Sequence, residues 1–198
     1  MRLKTLLVVV ALAVFAFSAP KTFAQNLLTN GSFETGDFTG WNTGGNFEDT
    51  EVVSGAFYVY TGAEDGSFYA VLGPVGSDGT IGQSFTDHAG TQYTFSFWLN
   101  AVGDNPSDFS AFWDGTSVLS LTNPTTNGAW TQFSFTETGT GSDNISFAFR
   151  DDPAYIALDN ISVSSSTGTG TTPEPSSWIL LGTGVVALGG MVRRKLSK

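Results

Sequence analysis

Few side chains in this sequence of 198 residues could carry out catalysis. His88 is the only histidine and there is no cysteine, so a Ser-His-Asp triad would need His88 and a zinc site would lack its usual ligands. His88 lies in Asp-His-Ala-Gly, which is typical of a tight turn at the surface. No pattern marks out a pair of carboxylates for glycoside hydrolysis among the many acids. We therefore predict that the protein is not an enzyme, and keep a hydrolase as the least favoured alternative.

Aromatic side chains offer a different chemistry, because a flat ring can stack on the C–H face of a sugar. In the alternating segment 91–99, Trp98 points away from the side that carries Phe95 and Phe97. The open alternative is a core on both sides of the strand, in which Trp98 packs beneath a loop. The candidate ligand-binding residues are Trp98, Tyr58, Tyr60 and Trp113.

The elements that must position these side chains are short strands. Between residues 25 and 163, alternating apolar segments recur at intervals of about ten residues, separated by Gly, Asn, Asp and Thr, which suits an all-β sandwich or barrel. Tyr58 and Tyr60 would share one face of the first predicted strand. The predicted strands are 51–60, 67–72, 81–85, 91–99, 109–113, 118–121, 130–135, 145–149 and 156–163.

The beginning of the chain has the three parts of a secretory signal peptide. A positively charged start at 1–4 precedes an unbroken apolar run at 6–17, and small residues allow signal peptidase to cut before Gln25. We predict a signal peptide helix at 1–24, a single domain at 25–163 and a flexible Ser/Thr/Gly linker at 164–172.

The charge of the predicted domain limits its partners. Arg150 is its only basic residue apart from the histidine, against 17 acidic residues. Such a domain repels nucleic acid and anionic membranes, so neutral ligands or divalent cations are expected. Arg150 either binds a ligand carboxylate or, as the sequence favours, offsets its neighbours Asp151 and Asp152.

The end of the chain, 173–198, has three parts in a fixed order. Pro-Glu-Pro precedes an apolar run at 178–192, which as a helix would be about 22 Å long, against about 30 Å of bilayer hydrocarbon. A basic cluster follows, which should stay in the cytoplasm. The residues that carry this pattern are Pro173, Glu174, Pro175, Arg193, Arg194 and Lys195.

This tail resembles the PEP-CTERM sorting signal of Gram-negative bacteria. The resemblance implies recognition by an exosortase, transient contact with the inner membrane through a short transmembrane helix, and a final place at the cell surface, in the outer membrane or in the extracellular matrix. The alternative is an ordinary C-terminal membrane anchor behind a proline-rich spacer.

The domain resembles carbohydrate-binding modules of the galactose-binding-like superfamily. The motif at 26–36 with Trp41, and the closing segment 158–163, carry the resemblance. It implies a jelly-roll β-sandwich of two antiparallel sheets. By the same resemblance a structural calcium ion would be held by Glu34, Asp159 and a carbonyl at Ser32. The alternative is that Glu34 and Asp159 cap turns.

These observations together predict an exported, exosortase-sorted surface or matrix protein that binds extracellular polysaccharide without altering it. The alternative is a structural protein of the biofilm matrix with the same fold and no defined sugar site. Exposed aromatic side chains in a groove or on an open sheet face favour the first interpretation, and smooth sheet faces favour the second.

Overall fold

A computed structural model describes residues 25–166; the predicted signal peptide, most of the linker and the whole C-terminal tail lie outside the described residues. The described residues form ten β-strands, because apolar and polar side chains alternate along them with the period of two that a half-buried strand requires. The strands are β1 Asn42–Gly45, β2 Thr50–Ser54, β3 Phe68–Leu72, β4 Gly79–Thr86, β5 Gln92–Asn100, β6 Ser107–Trp113, β7 Thr116–Thr122, β8 Thr131–Thr138, β9 Ser142–Asp151 and β10 Ile156–Ser165.

The strands pair into two five-stranded antiparallel sheets. The first sheet has the order β1-β4-β9-β6-β7 and the second the order β2-β3-β10-β5-β8. The predicted all-β jelly-roll sandwich is thereby confirmed. The predicted terminal helices cannot be compared, since both fall outside the described residues. Within 25–166 no helix is long and apolar enough to cross a membrane.

The core lies between the two sheets, and phenylalanine is its commonest residue. Phe95 and Phe97 on β5 are fully buried, as the alternation of this strand predicted. Phe97 meets Phe147 of the facing sheet edge to face, with ring centroids 5.1 Å apart, and Phe109 at 5.7 Å. Both sheets and this core lie within 25–166, which form one compact unit, so this segment holds what it needs to fold by itself.

Three strand predictions differ from the structure. β1 was not predicted, because Asn-Thr-Gly-Gly has no apolar alternation; it is a strand only through pairing with β4. The strand predicted at 51–60 ends at Ser54, since Gly55 turns the chain at a φ of 69°. The predicted linker begins too early, because Ser164 and Ser165 still pair with β5.

Candidate functional site

Trp98 lies on the outer face of the second sheet, near the C-terminal end of β5. Its neighbours in the chain, Phe97 and Leu99, are fully buried in the core, whereas Trp98 is half-buried on the opposite face. Directly opposite it stand Gln132 on β8 and Asp159 on β10. The structure therefore places Trp98 as the alternation of the strand predicted, with part of the indole ring accessible.

Small hydroxyl side chains occupy the sheet on one side of the ring. Ser96, two residues before Trp98, pairs with Ser134 on one side and with Ser162 on the other. The neighbouring row repeats this, since Thr94 pairs with two hydroxyl residues as well. We call this surface the Trp98 face; its residues are Thr94, Ser96, Trp98, Gln132, Ser134, Thr136, Ser162 and Ser164. It combines one flat ring with hydroxyl groups that both donate and accept hydrogen bonds.

The Trp98 face is bounded on one side by residues 55–67, the connection between β2 and β3, here called the covering loop. Beneath it, Tyr69 and Val71 are fully buried in a second, smaller apolar cluster. The indole N–H of Trp130 donates to the carbonyl oxygen of Gly62 at 3.2 Å. Part of the sheet is thus closed by the loop, which leaves the area around Ser96 and Ser134 open.

The three residues predicted to bind calcium all hold the covering loop. The backbone N–H groups of Glu64 and Asp65 donate to Asp159 Oδ2 at 2.8 and 3.0 Å. The N–H groups of Ser67 and Phe68 both donate to Glu34 Oε1 at 2.8 Å. The hydroxyl group of Ser32 donates to the carboxylate of Asp65 at 3.0 Å. The residues that make these contacts are Ser32, Glu34, Glu64, Asp65, Ser67, Phe68 and Asp159.

This arrangement corresponds to the turn-capping alternative. A cation at Asp159 would compete with the N–H groups that donate to that carboxylate, whereas at Glu34 only Oε1 accepts N–H groups. No group of three or more His, Asp and Glu side chains within 25–166 is gathered to hold a metal. Calcium at Glu34, Ser32 and Asp159 stays a prediction. Burial raises the pKa of Asp159 to about 7, although three backbone N–H groups act to lower it.

Tyr58 and Tyr60, predicted to share an exposed face, lie on opposite sides of a turn. Tyr58 is 59% exposed and packs against Tyr155, with ring centroids 5.9 Å apart. Tyr60 is 2% exposed, and its hydroxyl group donates to the carbonyl oxygen of Tyr155. Tyr60 was predicted to share a strand face with Tyr58. It is buried instead, because the chain turns at Gly55 and β2 ends at Ser54.

Trp113 is also unsuitable for stacking on a ligand. It is 5% exposed, and its ring packs edge to face on Phe85 at 5.4 Å and against Phe95 at 6.2 Å. The alternation of Phe109, Ala111 and Trp113 on the core side of β6 was the signal that could have shown this.

The residues that sequence reasoning missed are on β8. Phe133 and Phe135 pack against the core, so Gln132 and Ser134 must face outward beside Trp98. The alternation in this strand was visible in the sequence. Its pairing with β5 was not, because sheet neighbours are decided by the tertiary fold.

Of the other titratable groups, Arg150, Asp87 and Asp143 have structural partners, whereas His88 is a surface residue. His88 is exposed in its turn. Arg150 forms an ion pair with Asp152, at 2.5 Å between Nη2 and Oδ2, which lowers the pKa of Asp152. The buried acids Asp87 and Asp143 hold the turn between β8 and β9, whose N–H groups donate to both. Arg150, Asp87 and Asp143 thus stabilise the fold through these contacts.

Comparison with known proteins identifies the C-terminal tail. Residues 171–195 match the PEP-CTERM protein-sorting motif. The chain therefore carries a sorting motif of exported proteins, and a motif of this kind implies processing by an exosortase. No curated protein matches the sequence.

Solved structures share the fold of the domain. TmCBM61 in complex with β-1,4-galactotriose has a TM-score of 0.58 at 19% identity, covering 72% of this chain and 100% of that one. The CBM22-1 xylan-binding domain of a Paenibacillus barcinonensis protein has a TM-score of 0.50 at 20% identity, covering 74% and 97%. A cyclase from Fischerella sp. TAU, bound to 4-(1H-indol-3-yl)butan-2-one, has a TM-score of 0.53 at 14% identity, covering 72% and 98%. At these identities the likeness shows the jelly-roll fold alone.

Proposed function

We propose that the domain binds extracellular polysaccharide without altering it, and that the Trp98 face is the binding surface. The observation that carries this proposal is the position of Trp98, which is half-buried on the outer face of the sheet beside rows of hydroxyl residues. The indole ring would stack on a sugar ring, and Ser96, Ser134 and Gln132 would exchange hydrogen bonds with its hydroxyl groups.

The charge of the domain supports a neutral sugar over an acidic one. Its single arginine is already paired with Asp152, so no free guanidinium is left for the carboxylate of a uronic acid. The fold supports a sugar ligand as well, since TmCBM61 binds a galactotriose and the Paenibacillus barcinonensis domain binds xylan on the same architecture. Nothing in these likenesses favours one sugar over another.

Trp98→Ala should reduce the affinity for the recognised polysaccharide at least tenfold, which corresponds to about 1.4 kcal/mol. The loss of the stacking surface is the cause, since the ring takes no part in the core. Affinity electrophoresis against a panel of neutral glycans, followed by calorimetry on those that bind, measures the effect. Tyr58→Ala is the control, because it removes a more exposed aromatic ring from another surface.

The outcomes separate the interpretations. Unchanged affinity in Trp98→Ala with a loss in Tyr58→Ala would move the site away from the Trp98 face. An absence of binding to every glycan, including the exopolysaccharide of the host, would favour the structural matrix protein. Release of shorter sugars during the assay would favour the hydrolase.

We infer for the tail that signal peptidase removes residues 1–24 and that an exosortase recognises Pro173, Glu174 and Pro175 while the apolar run lies in the inner membrane. The mature protein would then be placed at the surface, in the outer membrane or in the matrix, where it would contribute to the biofilm. This order agrees with the sorting motif matched at 171–195.

Replacing Pro173, Glu174 and Pro175 together by alanine should abolish processing, so that an unprocessed precursor accumulates in the membrane fraction. Immunoblots of fractionated cells with an antibody against the domain measure the ratio of precursor to mature protein. Replacing Ser176 and Ser177 by alanine is the matched control and should leave processing intact. Normal processing of the triple variant would contradict the role of the motif.

A further inference from the structure

Three carboxylate oxygen atoms at one end of the sandwich are buried and have no hydrogen-bond partner: Asp104 Oδ2, Asp151 Oδ1 and Asp152 Oδ1. Asp104 lies in the connection 101–106 between β5 and β6. Asp151 is the last residue of β9, and Asp152 begins the connection 152–155 between β9 and β10. Asp151 is 2% exposed. A buried carboxylate oxygen without a partner is costly, so three of them together call for a positive group.

The two connections are tied to each other by their backbones. Ser107 pairs with Asp151 across β6 and β9, and its hydroxyl group donates to the carbonyl oxygen of Asp104 at 2.7 Å. The N–H of Asp152 donates to the carbonyl oxygen of Pro106 at 3.0 Å. The acids are therefore held close to one another by contacts in which their free oxygen atoms take no part.

The positive group cannot come from the described part of the chain. Between residues 25 and 166 the sequence has no lysine and one arginine. Arg150 already donates to Asp152 Oδ2 through both Nε and Nη2. His88 is exposed in the turn before β5, whereas Asp104 lies in the connection after β5, at the opposite end of that strand. The counter-ion must come from the solvent.

We propose that Asp104 and Asp151 bind a divalent cation of the calcium type at this end of the sandwich. Calcium accepts as few as two carboxylates when backbone carbonyl groups and water complete its shell of six to eight oxygen atoms. This agrees with the finding that no three acidic side chains within 25–166 surround a single point. Asp152, paired with Arg150, adds negative charge beside the ion. Extracellular modules bind calcium with dissociation constants of about 10⁻⁴ to 10⁻³ M.

This site differs from the one that the family resemblance implies. At Glu34 and Asp159 the carboxylates already accept backbone N–H groups. At Asp104 and Asp151 the buried oxygen atoms accept nothing. The ion would thus satisfy buried oxygen atoms that accept nothing here, whereas at Asp159 it would compete with N–H groups that donate to both carboxylate oxygen atoms. The proposal does not depend on sugar binding.

The test uses a protein of residues 25–166 and measures its melting temperature in chelator and in about 10 mM calcium chloride, with sodium chloride at equal ionic strength as the reference. We expect calcium to raise the melting temperature by about 4 °C or more, and calorimetry to find one ion per molecule. Asp104→Asn should remove this rise. It should also raise the melting temperature in chelator, because the amide can donate a hydrogen bond to Asp151 and removes a repelling charge.

Two matched variants keep the proposal falsifiable. Glu34→Gln and Asp78→Asn each remove one charge elsewhere, Asp78 from an exposed position at the same end of the sandwich, and both should keep the calcium response. A response that survives in Asp104→Asn and in Asp151→Asn overturns the proposal, as does one that is lost only in Glu34→Gln. An equal rise in calcium and in matched sodium chloride shows general screening and also overturns it.

Discussion

Phe97→Ala is expected to lower the free energy of unfolding by about 3–5 kcal/mol, the usual cost of removing a fully buried phenylalanine side chain. Phe97 lies at the centre of the core, where its ring contacts the rings of both sheets. The substitution removes contacts and leaves a cavity, because a close-packed interior relaxes only partially. The rings around it are those of Phe95, Phe109, Phe133, Phe135 and Phe147.

Urea denaturation of residues 25–166, followed by tryptophan fluorescence, measures this loss. The matched control is Phe133→Ala, which removes a similar ring from the edge strand β8; Phe133 is only half-buried and stacks on Phe97 at 5.6 Å. Its cost should be clearly smaller. Equal losses in the two variants would contradict the central role of Phe97, and would indicate that β8 and the middle of the core contribute alike.

The stability of the domain in chelator should fall as the pH rises from about 4 to about 8. Burial and the neighbouring carboxylates of Asp104 and Asp152 raise the pKa of Asp151 to about 7. Burial raises that of Asp159 to about 7. In the unfolded chain both titrate near 3.9. At pH values between these pKa values the folded protein binds more protons than the unfolded chain. The stability that the two carboxyl groups contribute is therefore complete below about pH 4 and lost above about pH 7.

Each pKa unit corresponds to about 1.4 kcal/mol, so the rise in the pKa of Asp151 from near 3.9 to about 7 corresponds to a decrease on the order of 4 kcal/mol. Asp151→Asn, which cannot ionise, isolates this contribution. The difference in unfolding free energy between the wild type and this variant should decrease from pH 4 to pH 8 in chelator. The proposed calcium ion binds the ionised carboxylate. Calcium should therefore reduce the loss of unfolding free energy that the wild type shows between pH 4 and pH 8. A difference that stays constant with pH would show that Asp151 is ionised throughout.

The sequence predicted the strands well wherever side chains alternate. In β5 the alternation assigned Phe95 and Phe97 to the core and Trp98 to the other face, as observed. β1 was missed, because its four residues carry no apolar period and are held only by main-chain pairing with β4.

The aromatic candidates show where side-chain patterns cease to be informative. Tyr58 and Tyr60 have the spacing of a strand, yet they sit in a turn where one ring is exposed and the other is buried. Trp113 shares the core side of β6 with Phe109 and Ala111, and Phe95 of the facing sheet packs against it. Whether an aromatic side chain is buried depends on what lies opposite, which a single strand does not specify.

The sequence by itself determined the all-β class, the core face of each regular strand and the sorting tail, because these depend on local periodicity or on contiguous motifs. Only the tertiary structure decided which strands are neighbours, and with them the hydroxyl rows beside Trp98 and the meeting of Asp104 with Asp151. Residues far apart in the chain are brought together by sheet pairing and loop packing. The proposed binding surface and the proposed cation site therefore depend on the fold and lie in no single segment of the sequence.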